Sequence, residues 1–424
     1  MRKILLASAA LVALTAFSAP AFAADDASTK VEAAATTAKT TTAEKSKNET
    51  TKLSLESIAD SIGVKGCIPV KSGHTALTNN AAYVDQVGIN NINEQDQTGK
   101  NLSIVSQTGR VDGKNVAYVT QNSSSAGRNS SYVEQGGDFN ELRVVQTGDD
   151  NTAVMSQSGT KNGWAELAGG KAEGHKGVSS EQWQKGTGNE AYGSVTGAMN
   201  FSAQQQFGDR NFSLMVQNGI GSEAAYANVA RVYQGTENVV SSDNDAYTSQ
   251  HGVGNFAVTK QTGATGGHLS IQIQSGSGNG INGTSLSNDV NENGTGAYIS
   301  QAGSSNTALQ AQIGNLNLAS ISQRSSNNIA AQYQIGNGNK AFATQDGTGN
   351  ILTQVQYLSG NVARAHQYTS DNIGLQVQTG SSNTALLEQR GGNGNWSSQY
   401  QGSSSNFSST TQDGTGNRST VTQN

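Results

Sequence analysis

The chain has 424 residues, of which 34% are hydrophobic and 13% charged, with 51 glycines and a formal net charge of −5. So few contiguous apolar stretches exclude a set of ordinary globular domains, the low charge excludes a charge-rich disordered chain, and the lack of any basic stripe excludes a nucleic-acid binder. A polar, Gly-rich, weakly charged composition points instead to a repetitive β protein or a prion-like tract.

The N-terminus reads as a secretory signal over residues 1–23. Arg2 and Lys3 supply the positive start, Ile4 to Phe17 the apolar stretch, and Ala21-Phe22-Ala23 the small-residue cleavage site. No lipobox cysteine follows, so no lipid anchor is expected, and no later segment has the apolar length to cross a bilayer. The mature chain is therefore expected to be exported and soluble until it assembles. Residues 24–79 form a disordered Ala/Thr/Lys-rich leader that passes into a transition holding Cys67 and Pro69. Cys67 is the single cysteine, which excludes an intrachain disulfide and leaves a free thiol or an intermolecular pair.

From Asn80 the sequence becomes repetitive. The unit is Asn, five residues, Gln, then a short linker rich in Gly, Ser, Asp and Asn. Early copies are Asn80–Gln86, Asn91–Gln97, Asn101–Gln107 and Asn115–Gln121, with uneven linkers between them. Degenerate copies fit at Val178–Gln184, Asn189–Val195, His268–Gln274 and Thr295–Gln301, for about 27 units in all. Ser158–Gly177, Asn218–Ala227 and Ser275–Gly294 read as surface loops ejected from the stack. From about residue 295 to 424 the register is strict. Gln312, Gln323, Gln334, Gln345, Gln356, Gln367, Gln378 and Gln389 fall eleven apart, and Gln401, Gln412 and Gln423 follow after one insertion. Asn306, Asn317, Asn328, Asn339, Asn350, Asn361, Asn372 and Asn383 keep step with them.

An eleven-residue period also suits a right-handed helical supercoil. Two features exclude it: glycine recurs in nearly every linker, and within each unit the alternation has period two. Counting Asn as position zero, position two is small (Ala308, Ala319, Ala341, Ala363, Ala385) and position four modest (Ile321, Leu387, Gln332, Gln376), whereas Lys340, Arg364, His366, Glu388 and Arg418 occupy odd positions. Charge is excluded from one face, which must be the inside.

These features predict an all-β fold: a β-solenoid of stacked 22-residue strand–turn–strand rungs, with two parallel in-register sheets of cross-β, amyloid-like character. About 13 rungs at the interstrand spacing of about 4.8 Å give a rod of about 60–65 Å. Inward Asn and Gln then form structural ladders, each amide donating to the copy above and accepting from the copy below. The last unit, Asn417–Gln423, has no visible cap, so end-to-end growth of a homopolymer is expected.

The iterated unit resembles the curlin repeat of bacterial curli fibres, most closely at Asn151–Gln157, Asn339–Gln345 and Asn383–Gln389. The resemblance implies export through an outer-membrane secretion pore, nucleator or chaperone partners, and nucleated polymerisation at the cell surface. It also implies roles in biofilm, cell aggregation and adhesion. The alternative is a monomeric secreted adhesin or a glycan- or surface-binding module. No enzyme is expected, because no acid–base or nucleophile set converges. His74, His175, His251, His268 and His366 share no ligand spacing, so neither a metal nor a cofactor is expected. The two Asp-Gly-Thr-Gly runs, at Asp346 and Asp413, occupy ordinary linker positions. Outward aromatics such as Phe201, Phe212, Trp396, Tyr400 and Phe407 suit lateral packing between filaments, or binding of dyes, polysaccharide or surfaces.

Overall fold

The computed structural model describes residues 80–424, except 89, 110–113, 125–126, 163–179, 221–227, 237 and 280–295. The predicted signal segment, the leader with Cys67, and most of the three predicted loops lie outside the described residues.

The described chain is all β. Its strands, numbered β1 to β27 in chain order from Ala81–Val87 to Arg418–Gln423, alternate strictly between two sheets. The odd strands, here sheet A, stack in the order β1, β3, β5 to β27, and the even strands, sheet B, in the order β2, β4, β6 to β26. Every pairing is parallel and joins like positions of successive units. In sheet A, β19 (Ile329–Ile335) sets Gln334 beside Gln356 of β21 (Ile351–Tyr357); in sheet B, β20 (Lys340–Gln345) sets Gln345 beside Gln367 of β22 (Val362–Gln367). The chain thus forms a β-solenoid of about 13 turns, each turn one 22-residue rung in the regular part.

The interior follows from the period-two pattern. Even positions point inward: Ala308, Ala319, Ala330, Ala341, Ala363 and Ala385 are at most 1% exposed, and so small a column lets the sheets approach closely. Ile299, Ile321, Ala343, Ala365 and Leu387 pack beside that column in one apolar cluster, and Val105, Val119, Val133, Val144 and Met155 form another near the first rungs. Where one rung deviates, the next compensates. Leu352 stands at the normally small position two, and its neighbour in the following rung is Gly374, whose missing side chain leaves room for both Leu352 and Leu387.

The turns stack as closely as the strands. Gly336 adopts φ 122°, left-handed backbone that favours glycine, and a Cβ there would run into the carbonyl of Leu358 in the turn above. This glycine column corrects the predicted loop limits. β7 runs through Ser158 to Thr160, β11 (Phe212–Ile220) includes Asn218, and β15 (Leu269–Ser277) includes Ser275. Gly197 pairs with Gly159 and Gly219, and Gly252 with Gly276, along sheet A, and these pairs carry strand pairing past the glutamine position. Among the described residues no helix is long and apolar enough to cross a membrane, which says nothing of a β-barrel.

Candidate functional site: the amide ladders

A primary amide has two hydrogens to donate, and in the sheet B glutamine column both are committed. In sheet B a glutamine column runs from Gln97 to Gln412 without a break. Each Nε2 donates to the Oε1 of the next glutamine at 2.7–3.1 Å, through Gln121, Gln146, Gln184, Gln206, Gln234, Gln261, Gln301, Gln323, Gln345, Gln367 and Gln389. The second hydrogen crosses the core. Gln345 donates to the carbonyl of Ile329, Gln367 to Ile351 and Gln389 to Ile373, all in sheet A. Each glutamine therefore joins its own sheet along the axis and ties it to the opposite sheet.

Sheet A carries the matching column. It runs from Gln217 through Gln250, Gln274, Gln312, Gln334, Gln356, Gln378 and Gln401 to Gln423 at 2.8–3.0 Å. A separate run joins Gln86, Gln107, Gln135 and Gln157. Between these runs Val195 occupies the glutamine position, paired with Gln157 on one side and Gln217 on the other. All these bonds point one way, with nitrogen donating toward the C-terminal rung, so the ladder is polar.

The asparagines form columns of a different kind in the regular part. The expected amide-to-amide contact is replaced there by a bond to backbone. Asn306 Oδ1 accepts the backbone N–H of Asn328, followed by Asn350, Asn372, Asn395 and Asn417 in sheet A at 2.9–3.0 Å. In sheet B the series is Asn317, Asn339, Asn361, Asn383 and Asn406, at 2.8–3.1 Å. The physical reason is the corner geometry. The short asparagine side chain sits where strand becomes turn, and in several rungs its Nδ2 reaches turn carbonyls, such as those of Gly336 for Asn317 and Leu358 for Asn339, whereas the buried Nδ2 of Asn328, Asn350 and Asn383 has no partner among the described residues. Upstream, direct amide contacts do occur, as from Asn140 Nδ2 to Asn115 Oδ1 at 3.1 Å.

Two features escaped the sequence reading. First, a second glutamine row lies at position four of sheet A: Gln272, Gln310, Gln332, Gln354, Gln376 and Gln399 bond in series at 2.7–3.1 Å. It also donates across the core, for example from Gln332 to the Ser320 carbonyl. Second, Asn162 and Asn279 are ladder members. Asn162 receives the backbone N–H of Asn200, and Asn279 that of Asn317. They head the units of β8 (Ser180–Lys185) and β16 (Ala297–Ser304), from which residues 163–179 and 280–295 separate them. They fill the position zero assigned in the sequence to Val178 and Thr295, which lie outside the described residues. The misleading signal was distance, because the asparagine and its strand are not contiguous. His268 replaces asparagine in the sheet A column, at the position zero given it by the degenerate copy His268–Gln274. Its backbone N–H donates to Asn244 Oδ1, and its Nδ1 lies 3.4 Å from the N–H of Asn306. Burial pushes its pKa down to about 4, the carbonyls of Thr262 and Gly303 pulling the other way.

Outside, charges form exposed or half-exposed pairs, such as Asp346 with Arg324 and with His366, or Arg210 with Asp243. Arg364 lies over the Phe342 ring and Arg418 over Trp396. Two of the predicted outward aromatics are not accessible: Phe201 packs with Ala203 and Val229 on the outer side of sheet B, and Phe212 is buried beside Tyr192. Trp396 is half-buried, while Tyr400 and Phe407 are exposed. Among the described residues no group of three or more His, Cys, Asp or Glu could hold a metal ion. Compared with protein-family models and with curated proteins, the chain matches none.

Proposed function

We propose that the chain is a structural subunit of an extracellular curli-like amyloid fibre that supports biofilm matrix, cell aggregation and surface adhesion. The observation that carries this reading is the polar glutamine ladder. An interior made of buried amides is stable only where each finds its own copy above and below, since an unsatisfied buried polar group costs about 1–3 kcal/mol. A rung of this kind is complementary to another like itself, which is the chemistry of a polymer more than of a pocket. The β-solenoid architecture suits a fibre subunit or an adhesin. Export by a cleaved signal, an outer-membrane pore, and nucleator or chaperone partners belong to the same proposal, on the strength of the N-terminal sequence and the curlin-like repeat. No enzymatic role is proposed.

The test is assembly of the purified secreted chain. Fibres by negative-stain microscopy, thioflavin binding and cross-β reflections near 4.8 and 10 Å are expected. Monomers that persist for days at high concentration would overturn the reading. The second reading, a surface- or glycan-binding module, draws on the outward cation–aromatic pairs in which exposed Arg364 lies over half-buried Phe342 and exposed Arg418 over half-buried Trp396. Saturable binding of a polysaccharide by soluble monomer, without fibre formation, would favour it.

A further inference from the structure

The two outer faces differ in a way the interior does not. On sheet B, the outward columns from β18 (Leu318–Gln323) to β24 (Thr384–Arg390) carry Lys340, Arg364, His366 and Glu388. On sheet A, the strands from β17 (Thr307–Ile313) to β25 (Trp396–Gln401) carry no Asp, Glu, Lys or Arg at any outward position. Their register sets Ile329, Ile351 and Ile373 in one outward column, with Val355 and Val377 neighbours in another; Ile351 and the outward Tyr333 are buried among their neighbours, and Ile329, Ile373, Val355 and Val377 are half-buried. Arg418 closes this face at one end. Toward the other end Leu214 and Tyr247 are buried, Tyr83 and Val87 of β1 are exposed, and Asp85, Glu134, Glu190 and Asp245 interrupt the outward columns, so the long uncharged face lies in the C-terminal half.

Soluble monomers rarely leave a contiguous apolar patch of more than a few hundred Å² in water. Five strands about 4.8 Å apart and seven residues long at about 3.3 Å each present about 550 Å². Two such faces together bury about 1,100 Å², just above the lower limit of a specific interface and below a standard one. The occupant must be apolar and must match columns repeating at the interstrand spacing. A second copy of the same face does both, and sheet faces pack about 10 Å apart with side chains interdigitated. The sheet B face does not qualify, because burying Lys340 and Arg364 against hydrocarbon would desolvate them without partners.

We propose that sheet A is a self-association surface through which two solenoids pair side by side, leaving the charged sheet B faces in water. The pairing needs only two folded chains and stands apart from growth along the rod axis. From its area, a single pair is weak, and many pairs linked along two rods bind firmly.

The test compares one lysine on each face of the full secreted chain, Leu375→Lys on sheet A and Leu386→Lys on sheet B. Sedimentation velocity of freshly prepared soluble protein reads the monomer–dimer equilibrium, and far-UV circular dichroism reads the fold. The wild type and Leu386→Lys are expected to dimerise alike, and Leu375→Lys at least tenfold more weakly. Should Leu375→Lys misfold, Leu375→Cys in a Cys67→Ser background is expected to crosslink to a second copy through a short bifunctional reagent, and Leu386→Cys is not. A wild type that stays monomeric, equal dimerisation of the two lysine variants, crosslinking at both cysteine positions or at neither, or capture by a hydrophobic surface without self-association would overturn the proposal. Fibre formation is scored separately by microscopy, so loss of pairing and loss of fibres are told apart.

Discussion

Gln217 stands directly next to Val195 in sheet A, and the Gln217 Oε1, buried there, has no hydrogen-bond partner. On the other side of the same valine, Gln157 Nε2 keeps only a long 3.4 Å bond to the Glu141 carbonyl. The column is thus broken at one rung. Val195→Gln is expected to close it, gaining two ladder bonds and about 2 kcal/mol of local stability. Hydrogen exchange of β9 (Glu190–Ala198) and β11 checks this: slower exchange is expected, and unchanged or faster exchange contradicts it.

Breaking an intact column has the opposite effect. Gln356 accepts from Gln334 and donates to Gln378 and to the Lys340 carbonyl. Gln356→Leu leaves these buried groups unsatisfied, at about 1–3 kcal/mol each. The outward change Val355→Thr in the same strand is expected to stay within about 0.5 kcal/mol. Urea unfolding of soluble protein compares the two, and equal midpoints would show that the ladder contributes little.

His268 makes stability depend on pH. Its folded pKa, about 4, lies below the ordinary value of 6.5 because burial disfavours the cation. Between those values the unfolded chain takes up a proton that the folded chain does not. The stability tied to the neutral ring is therefore full above about pH 6.5 and is lost as the pH falls toward 4. At about 1.4 kcal/mol per pKa unit the loss amounts to about 3–4 kcal/mol at most. His268→Asn is expected to remove this dependence and to place an asparagine oxygen opposite the Asn306 N–H. Stability measured from pH 7 to pH 4 in both proteins checks it, and parallel curves would contradict it.

Leu352 and Gly374 are expected to be coupled. A Cβ on Gly374 would lie 2.7 Å from Leu387 Cδ2 and 2.9 Å from Leu352 Cδ1. Gly374→Ala therefore overpacks the core by about 1–3 kcal/mol. Adding Leu352→Ala removes one of the clashing groups, so the double variant loses less than the sum of the single ones. A double-mutant cycle by chemical denaturation measures that difference, and strict additivity would argue against the fit.

The fold was legible because the ladder punishes deviation. Gln345, Gln356 and Gln367 each need a copy one rung away, so the period survives in the linear sequence. The second row at Gln332, Gln354 and Gln376 was not legible, because position four holds glutamine in sheet A and Ile321, Ala343 or Leu387 in sheet B. A consensus taken over every unit averages the two. The same mixing hid the apolar outer face: Ile351 and Ile373 belong to one sheet, Lys340 and Arg364 to the other, and only sorting alternate units separates them. Asn162 and Asn279 were hidden by the residues that part them from their strands. The three loop limits were set too early because stacked glycines such as Gly159 and Gly197 look like turn residues in one dimension.

The corner after the position-zero asparagine has a practical meaning. Asn162 and Asn279 keep their places in the column while residues 163–179 and 280–295 are accommodated before the next strand begins. The corner after these two sheet B asparagines is thus a natural splice point. A foreign peptide grafted at the matching sheet B corner, for instance after Asn339 or Asn361, would be displayed at intervals fixed by the stacking distance, with no change to the residues that hold the rod together.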